Sequence, residues 1–229
     1  MMPSHLRVEH SPAGYRRLLL SRPERRNALD VGMARALCDA LGQDQAAPVV
    51  LGSTDPRVFC AGADLTLLDA DRATVSDLLY ECYEIMITRP GPVIAAMAGP
   101  AVGGGAQLAA AADLRIAGPA ARLRWAGPPG RGLAVGAWVL TDLVGRGTAM
   151  DLALTGRWVD AGEALALGLV NRVEDDPGRA AAGIAAELAA QDPEVSAKVK
   201  RVTAAGGLLD RLRAERQANR SAWPRPTHD

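Results

Sequence analysis

Apolar positions along this chain recur at two spacings, and the switches between them mark out its elements. Leu6 to Glu9 and Tyr15 to Leu20 read as short strands, and Ser11-Pro-Ala-Gly14 between them supplies turn residues, so a hairpin is expected. Leu29, Val31, Met33, Leu37 and Leu41 then follow the three-to-four spacing of an amphipathic helix, which Asn27 or Asp30 can cap. Val49 to Gly52 is a buried strand, and a second helix is expected from about Thr74 to Ile87, carrying Leu78, Leu79, Tyr83 and Met86. Arg89-Pro-Gly-Pro92 breaks that helix before the apolar strand Val93 to Met97. Strand, helix and strand in alternation imply a parallel sheet with helices packed on it, an α/β fold.

The remaining pattern is more helical. Ala106 to Ala112 has very small side chains, which lets a helix sit close to its neighbours, and Leu114-Arg-Ile116 reads as a strand. Ala126 to Gly132 holds two prolines and three glycines and must be irregular. Helices resume near Gly136, Gly168 to Asn171 reads as a last short strand, and residues 177 to 219 look mostly helical. Trp223-Pro-Arg-Pro-Thr-His-Asp229 cannot carry a helix past its prolines.

Composition narrows the function without choosing it. With 48% hydrophobic and 23% charged residues over 229 positions, a substantial core needs neither disulfides nor metals. The formal net charge of zero, with no run of like charges, gives no electrostatic footprint for nucleic acid or a membrane surface. No stretch approaches about 18 uninterrupted apolar residues, and the first residues lack a basic segment followed by an apolar run. Cys38, Cys60 and Cys82 are odd in number and scattered, which argues for free thiols in a reducing compartment and a cytoplasmic location.

Two small-residue turns carry the candidate chemistry. Gly103-Gly-Gly105 sits between a predicted strand and an alanine-rich helix, where missing Cβ atoms leave the first N–H groups of the helix open to a negatively polarised atom. A dinucleotide motif would need glycine at 108, where the chain has Leu108. About forty residues upstream, Arg57-Val-Phe-Cys-Ala-Gly-Ala-Asp64-Leu65 places a second such turn after a strand.

Together these turns resemble the crotonase (enoyl-CoA hydratase/isomerase) superfamily. The resemblance extends to Arg22-Pro-Glu-Arg-Arg-Asn-Ala-Leu29, Pro92 to Gly99, Ala149 to Gly156 and Ala164 to Val173, and covers roughly residues 5 to 205. It implies a crotonase-like ββα spiral core over residues 1–175 and a helical C-terminal trimerisation region over 176–229, shortened relative to the family. It also implies a homotrimer or a hexamer built as a dimer of trimers. By position in the motif, the N–H groups of Ala63 and Gly104 would form an oxyanion hole for a fatty acyl-CoA thioester. Arg25, Arg26, Ala61, Asp64, Leu65, Gly103 and Trp125 would contribute to substrate binding, the arginines through phosphate recognition. Solvated surface arginine is the competing account of the first two. The CoA thioester is substrate or ligand, and no cofactor or metal is implied.

Family hydratases use two glutamates, and neither is expected here. The first position is Gln107, whose amide holds water by hydrogen bonds but takes no proton near neutral pH. The second belongs to a stretch around Trp125, and Leu114 to Thr141 contains no Asp or Glu. The expectation is an acyl-CoA-binding member with little or no hydratase activity. The alternative is an active hydratase, isomerase or other CoA-thioester enzyme with a displaced acid. Asp69, Asp71, Glu81 and Glu84 are candidates for that acid, and Tyr80 or Tyr83 for a proton donor.

Other constellations are set aside. His5, His10 and His228 lie near the ends, which disfavours a histidine triad or a His-based metal site. Cys60 reads as a thiolate nucleophile or, with no cationic partner nearby, as a small buried apolar side chain. The prolines after Trp223 leave closure of the acyl pocket by a C-terminal helix in doubt.

Overall fold

The computed structural model describes residues 5–127 and 132–223. Strands β1 (Leu6–His10) and β2 (Arg16–Leu20) form the expected hairpin, with Leu6 opposite Leu20 and His10 opposite Arg16. A short 3-10 turn, Pro23–Arg25, leads to helix α1 (Val31–Gly42), which Asp30 caps by accepting from the Met33 N–H. Strand β3 (Val49–Ser53), helix α2 (Asp69–Thr88) and strand β4 (Val93–Met97) follow. Helix α2 begins about a turn earlier than its apolar periodicity indicates, since Asp69 and Asp71 suit the positive end of a helix.

Beyond β4 come β5 (Ala101–Val102), α3 (Gly104–Ala111), β6 (Leu114–Ala117) and β7 (Arg122–Arg124). Then follow α4 (Ala137–Thr155, kinked at Gly145), β8 (Val159–Asp160), α5 (Ala161–Ala166) and β9 (Arg172–Val173). Helices α6 (Pro177–Ala189), α7 (Pro193–Ala204) and α8 (Leu208–Arg220) end the described chain. The expected strand at Gly168 to Asn171 is corrected: pairing begins only at Arg172, one residue past its expected end, in β9. Gly168 turns left-handed to end α5, the Val170 N–H bonds back to Ala164 O, and Leu169 and Val170 are spent on the core. Of the irregular segment expected from Ala126 to Gly132, residues 128–131 lie outside the described residues, as does the tail from residue 224.

The main sheet runs β1-β2-β3-β4-β6-β9, parallel from β2 onward, and a small sheet β5-β7-β8 stands apart. Side chains alternate across β3 and β4. Val49, Leu51, Ala95 and Met97 enter the large core beneath α1, α2 and α3, while Val50, Ile94 and Ala96 meet Ala181 and Ala185 of α6 on the opposite face. Buried on both sides, these strands read as unbroken apolar runs.

The expectation of three free thiols is corrected as well. Cys38 on α1 and Cys82 on α2 are paired as a disulfide, their Cα atoms 4.9 Å apart, because the packed faces of the two helices bring together residues 44 positions apart in sequence. Cys60 is the free cysteine.

Candidate active site

The chain brings its two glycine turns side by side through backbone pairing. Phe59 and Cys60 N–H both donate to Pro100 O, and Val102 N–H donates to Cys60 O at 2.9 Å. Close approach depends on missing side chains. A Cβ on Gly105 would lie 2.5 Å from Cys60 O, and one on Gly62, at φ +86°, would lie 2.8 Å from Val102 O and 3.6 Å from the Gly104 nitrogen. The two turns are thus a few ångströms apart across one opening.

That opening leads into a cavity of about 240 Å³. Ala61, Ala63, Leu65, Gly103, Gly104 and Gln107 line it together. The N–H of Gly104 opens α3 and has no partner in its own helix, and the N–H of Ala63 has no backbone acceptor among the described residues. The residues that carry these two N–H groups, on opposite turns, both line this one space.

The other sequence candidates fall elsewhere. Trp125 does not line the cavity, which corrects the expectation: it is 1% exposed and packs against Gly136, while its neighbours Arg124 and Ala126 face the opening. Asp64 is buried, and its carboxylate accepts from Thr66 N–H and Oγ1 and from Arg22 Nη1, so it holds the turn. Arg25 and Arg26 are exposed on the turn after β2, and among the described residues the cations on the cavity wall are Arg72 and Arg124. Cys60 is fully buried and its Sγ donates to Asn27 O; burial pushes its thiol up to about 12, which leaves no thiolate for attack.

Asp64 gives the turn a measurable pH dependence. Burial alone would raise its pKa, but hydrogen bonds from Thr66 and the Arg22 guanidinium prevail and lower it to about 2. A depressed carboxylate contributes stability above its unfolded value of 3.8, and that contribution is lost as pH falls toward about 2. Asp64→Asn is expected to cost about 2 kcal/mol at pH 7, with the difference from wild type vanishing near pH 2 in urea titrations. An equal cost at both pH values would contradict this.

Among the described residues lining the cavity there is no Asp or Glu. Asp69, Asp71, Glu81 and Glu84 are absent from its wall, and Glu84 pairs with Arg213 at the surface. Tyr80 and Tyr83 do line it, with rings 5.6 Å apart edge to face. Tyr83 Oη donates to Gly104 O at 3.1 Å, which ties the tyrosine to the glycine turn.

The carboxylate nearest these tyrosines comes from α8, a source the sequence reading missed. Glu215 Oε1 accepts from Tyr80 Oη at 2.8 Å and from Gly136 N–H at 3.0 Å, while Oε2 accepts from Trp138 N–H at 3.0 Å. An anion here meets the N-terminus of α4. Burial nonetheless raises its pKa, against the lowering effect of those donors. Asn219, one turn on, donates to Tyr80 Oη and brackets Ala134 through its N–H and its carbonyl. The doubt about a missing closing helix is thereby resolved: α8 packs on α2 and α4, and Asn219 and Trp223 line the cavity. Leu212, Glu215 and Asn219 recur at helical spacing on one buried face, and that polar stripe was the available signal.

The enoyl-CoA hydratase/isomerase family matches residues 12–229. The chain belongs to this family. A putative enoyl-CoA hydratase of Thermus thermophilus is 38% identical, across 93% of this chain and 89% of its own length. A probable enoyl-CoA hydratase of Mycobacterium tuberculosis is 36% identical, across 90% and 81%. Among solved structures, an enoyl-CoA hydratase from Bacillus anthracis superposes with a TM-score of 0.81 at 28% identity, covering 95% of this chain and 90% of that one. A monofunctional enoyl-CoA isomerase from M. smegmatis gives 0.76 at 30% identity, covering 90% and 94%. The α/β architecture is the crotonase fold. No described helix is long and apolar enough to cross a membrane, and no described group of three or more His, Cys, Asp or Glu is placed to hold a metal.

Proposed function

We propose that this family member binds a fatty acyl-CoA thioester with its carbonyl oxygen between the Ala63 and Gly104 N–H groups, and catalyses little or no hydration. The observation that carries this reading is that Ala63 and Gly104, whose N–H groups have no hydrogen-bond partner among the described residues, both line a cavity whose described wall holds no carboxylate. Leu65, Leu79 and Val135 give the acyl chain apolar contact, and Arg72 and Arg124 set positive charge beside an anionic ligand. Gln107 stands where the family places its first glutamate. It supplies hydrogen bonds and no proton acceptor.

A second reading, an active CoA-thioester enzyme with a non-standard acid, is favoured by one observation. Tyr80 lines the cavity with Glu215 hydrogen-bonded behind it. Burial and the neighbouring Glu215 carboxylate hold the Tyr80 phenol well above its ordinary pKa, so it stays protonated and cannot serve as a base. Both readings require thioester binding. Calorimetric titration with butyryl-CoA and a long-chain acyl-CoA is expected to saturate with higher affinity than free CoA, and absence of saturation by any acyl-CoA would refute both.

A further inference from the structure

Gln107 is 6% exposed, and one hydrogen bond fixes which end of its amide faces the cavity. Trp138 Nε1 lies 2.8 Å from Gln107 Oε1. An indole N–H can only donate, so its partner must be the amide oxygen, and the NH₂ group is left on the other side. The Trp138 ring cannot easily swing away. It is 1% exposed, stacks on Tyr83 at 5.8 Å, and its backbone N–H is held by Glu215. Gln107 Nε2 has no hydrogen-bond partner among the described residues, is not sealed from the cavity, and belongs to a side chain on its wall. A buried donor pair left without an acceptor is costly, so the group it faces when ligand binds should be an acceptor.

Position along α3 says which ligand atom that is. Gln107 follows Gly104 by three residues, so the two share one helix face, neighbours about 5–6 Å apart. If the thioester oxygen rests on the Gly104 N–H, a group one helical turn further on reaches past the α-carbon to a substituent on the β-carbon. With Oε1 occupied by Trp138, Gln107 offers donors there and its acceptor is taken.

We propose that this cavity selects acyl thioesters bearing a carbonyl oxygen on the β-carbon, 3-oxoacyl-CoA, over saturated and enoyl chains, with Gln107 Nε2 as the donor to that oxygen and Trp138 as the residue that orients it. The proposal rests on the oxyanion-site reading given above. A 3-oxo group is an acceptor only and pairs with the free NH₂, whereas a saturated or enoyl chain leaves those donors facing carbon. A 3-hydroxyl would accept the same bond, but its own proton finds no acceptor at Gln107. The match is by hydrogen-bond sign.

The test is calorimetric titration of the wild-type protein with acetoacetyl-CoA, butyryl-CoA, crotonyl-CoA and free CoA. One neutral hydrogen bond corresponds to a preference of roughly 3- to 10-fold for acetoacetyl-CoA over butyryl-CoA. Gln107→Met keeps the side chain's length and removes its donors, so the ratio of acetoacetyl-CoA to butyryl-CoA affinity measured in that variant should collapse to about one. Trp138→Phe keeps the ring on Tyr83 but frees the amide to rotate, and should lower the preference part-way without lowering butyryl-CoA affinity. Wild-type protein that binds butyryl-CoA as tightly as acetoacetyl-CoA overturns the proposal and leaves the oxyanion reading standing. So does a preference that survives both substitutions. If no acyl-CoA binds more tightly than free CoA, the underlying reading fails and takes the proposal with it.

Discussion

Crotonyl-CoA hydration by the wild-type protein is expected to run at least several thousand-fold below that of an ordinary hydratase, followed as loss of the conjugated thioester absorbance. Hydration needs a group to deprotonate water and a group to deliver a proton at the α-carbon, and positioned acid–base groups contribute about 10² to 10⁴ each. Among the described residues, the cavity wall offers Gln107, Tyr80 and Tyr83 for these tasks. An amide takes no proton at neutral pH, and both phenols are pushed up by burial, away from any role as base. Gln107→Glu is expected to recover part of the rate. The new carboxylate inherits the Trp138 Nε1 donor, which orients it, but no second carboxylate joins it. Fast wild-type hydration that persists in Gln107→Ala would contradict the binding reading and direct attention to the Tyr80–Glu215 pair, where Tyr80→Phe and Glu215→Gln would then be decisive.

Gly104→Pro is expected to weaken acyl-CoA binding by about two orders of magnitude or more while leaving the fold intact. Proline is tolerated at the first position of a helix, where its absent N–H would be unpaired in any case, so α3 can form with it. What is lost is the donor itself, and the pyrrolidine ring occupies the place where the thioester oxygen would sit. A missing hydrogen bond to a group left buried costs about 1 to 3 kcal/mol, and displacement of the ligand adds to it. Gly104→Ala is the control. It keeps the N–H, and its Cβ would meet the end of the Leu79 side chain, Cδ1 at 2.9 Å, which can yield. Equal binding by Gly104→Pro and wild type, with unchanged circular dichroism, would remove Gly104 from the site.

The local grammar of the chain determined much of this protein. Apolar runs at β3 and β4, the Asp30 cap, and prolines at the end of α2 specify elements through interactions within a few residues, and these formed as read. The glycine turns were legible too, because a turn that must approach another backbone tolerates no Cβ, and that demand is written in composition alone. The absence of acids from Leu114 to Thr141 needs no coordinates.

Only the tertiary structure decided which distant side chains meet. Cys38 and Cys82 pair because α1 and α2 pack in one register, and nothing near either cysteine encodes the other. Trp125 lies outside the cavity while Arg124 and Ala126 face it, since successive side chains leaving β7 point to opposite sides and the sequence does not say which side is the ligand's. Glu215 and Asn219 reach Tyr80 across more than 130 positions of sequence, brought there by α8 folding back over α2. The orientation of the Gln107 amide likewise hangs on one indole N–H contributed by another helix. Short-range sterics and hydrogen bonding fix elements and turns, whereas the identity of a hydrogen-bond partner depends on how rigid elements dock, and that is a property of the whole packed core.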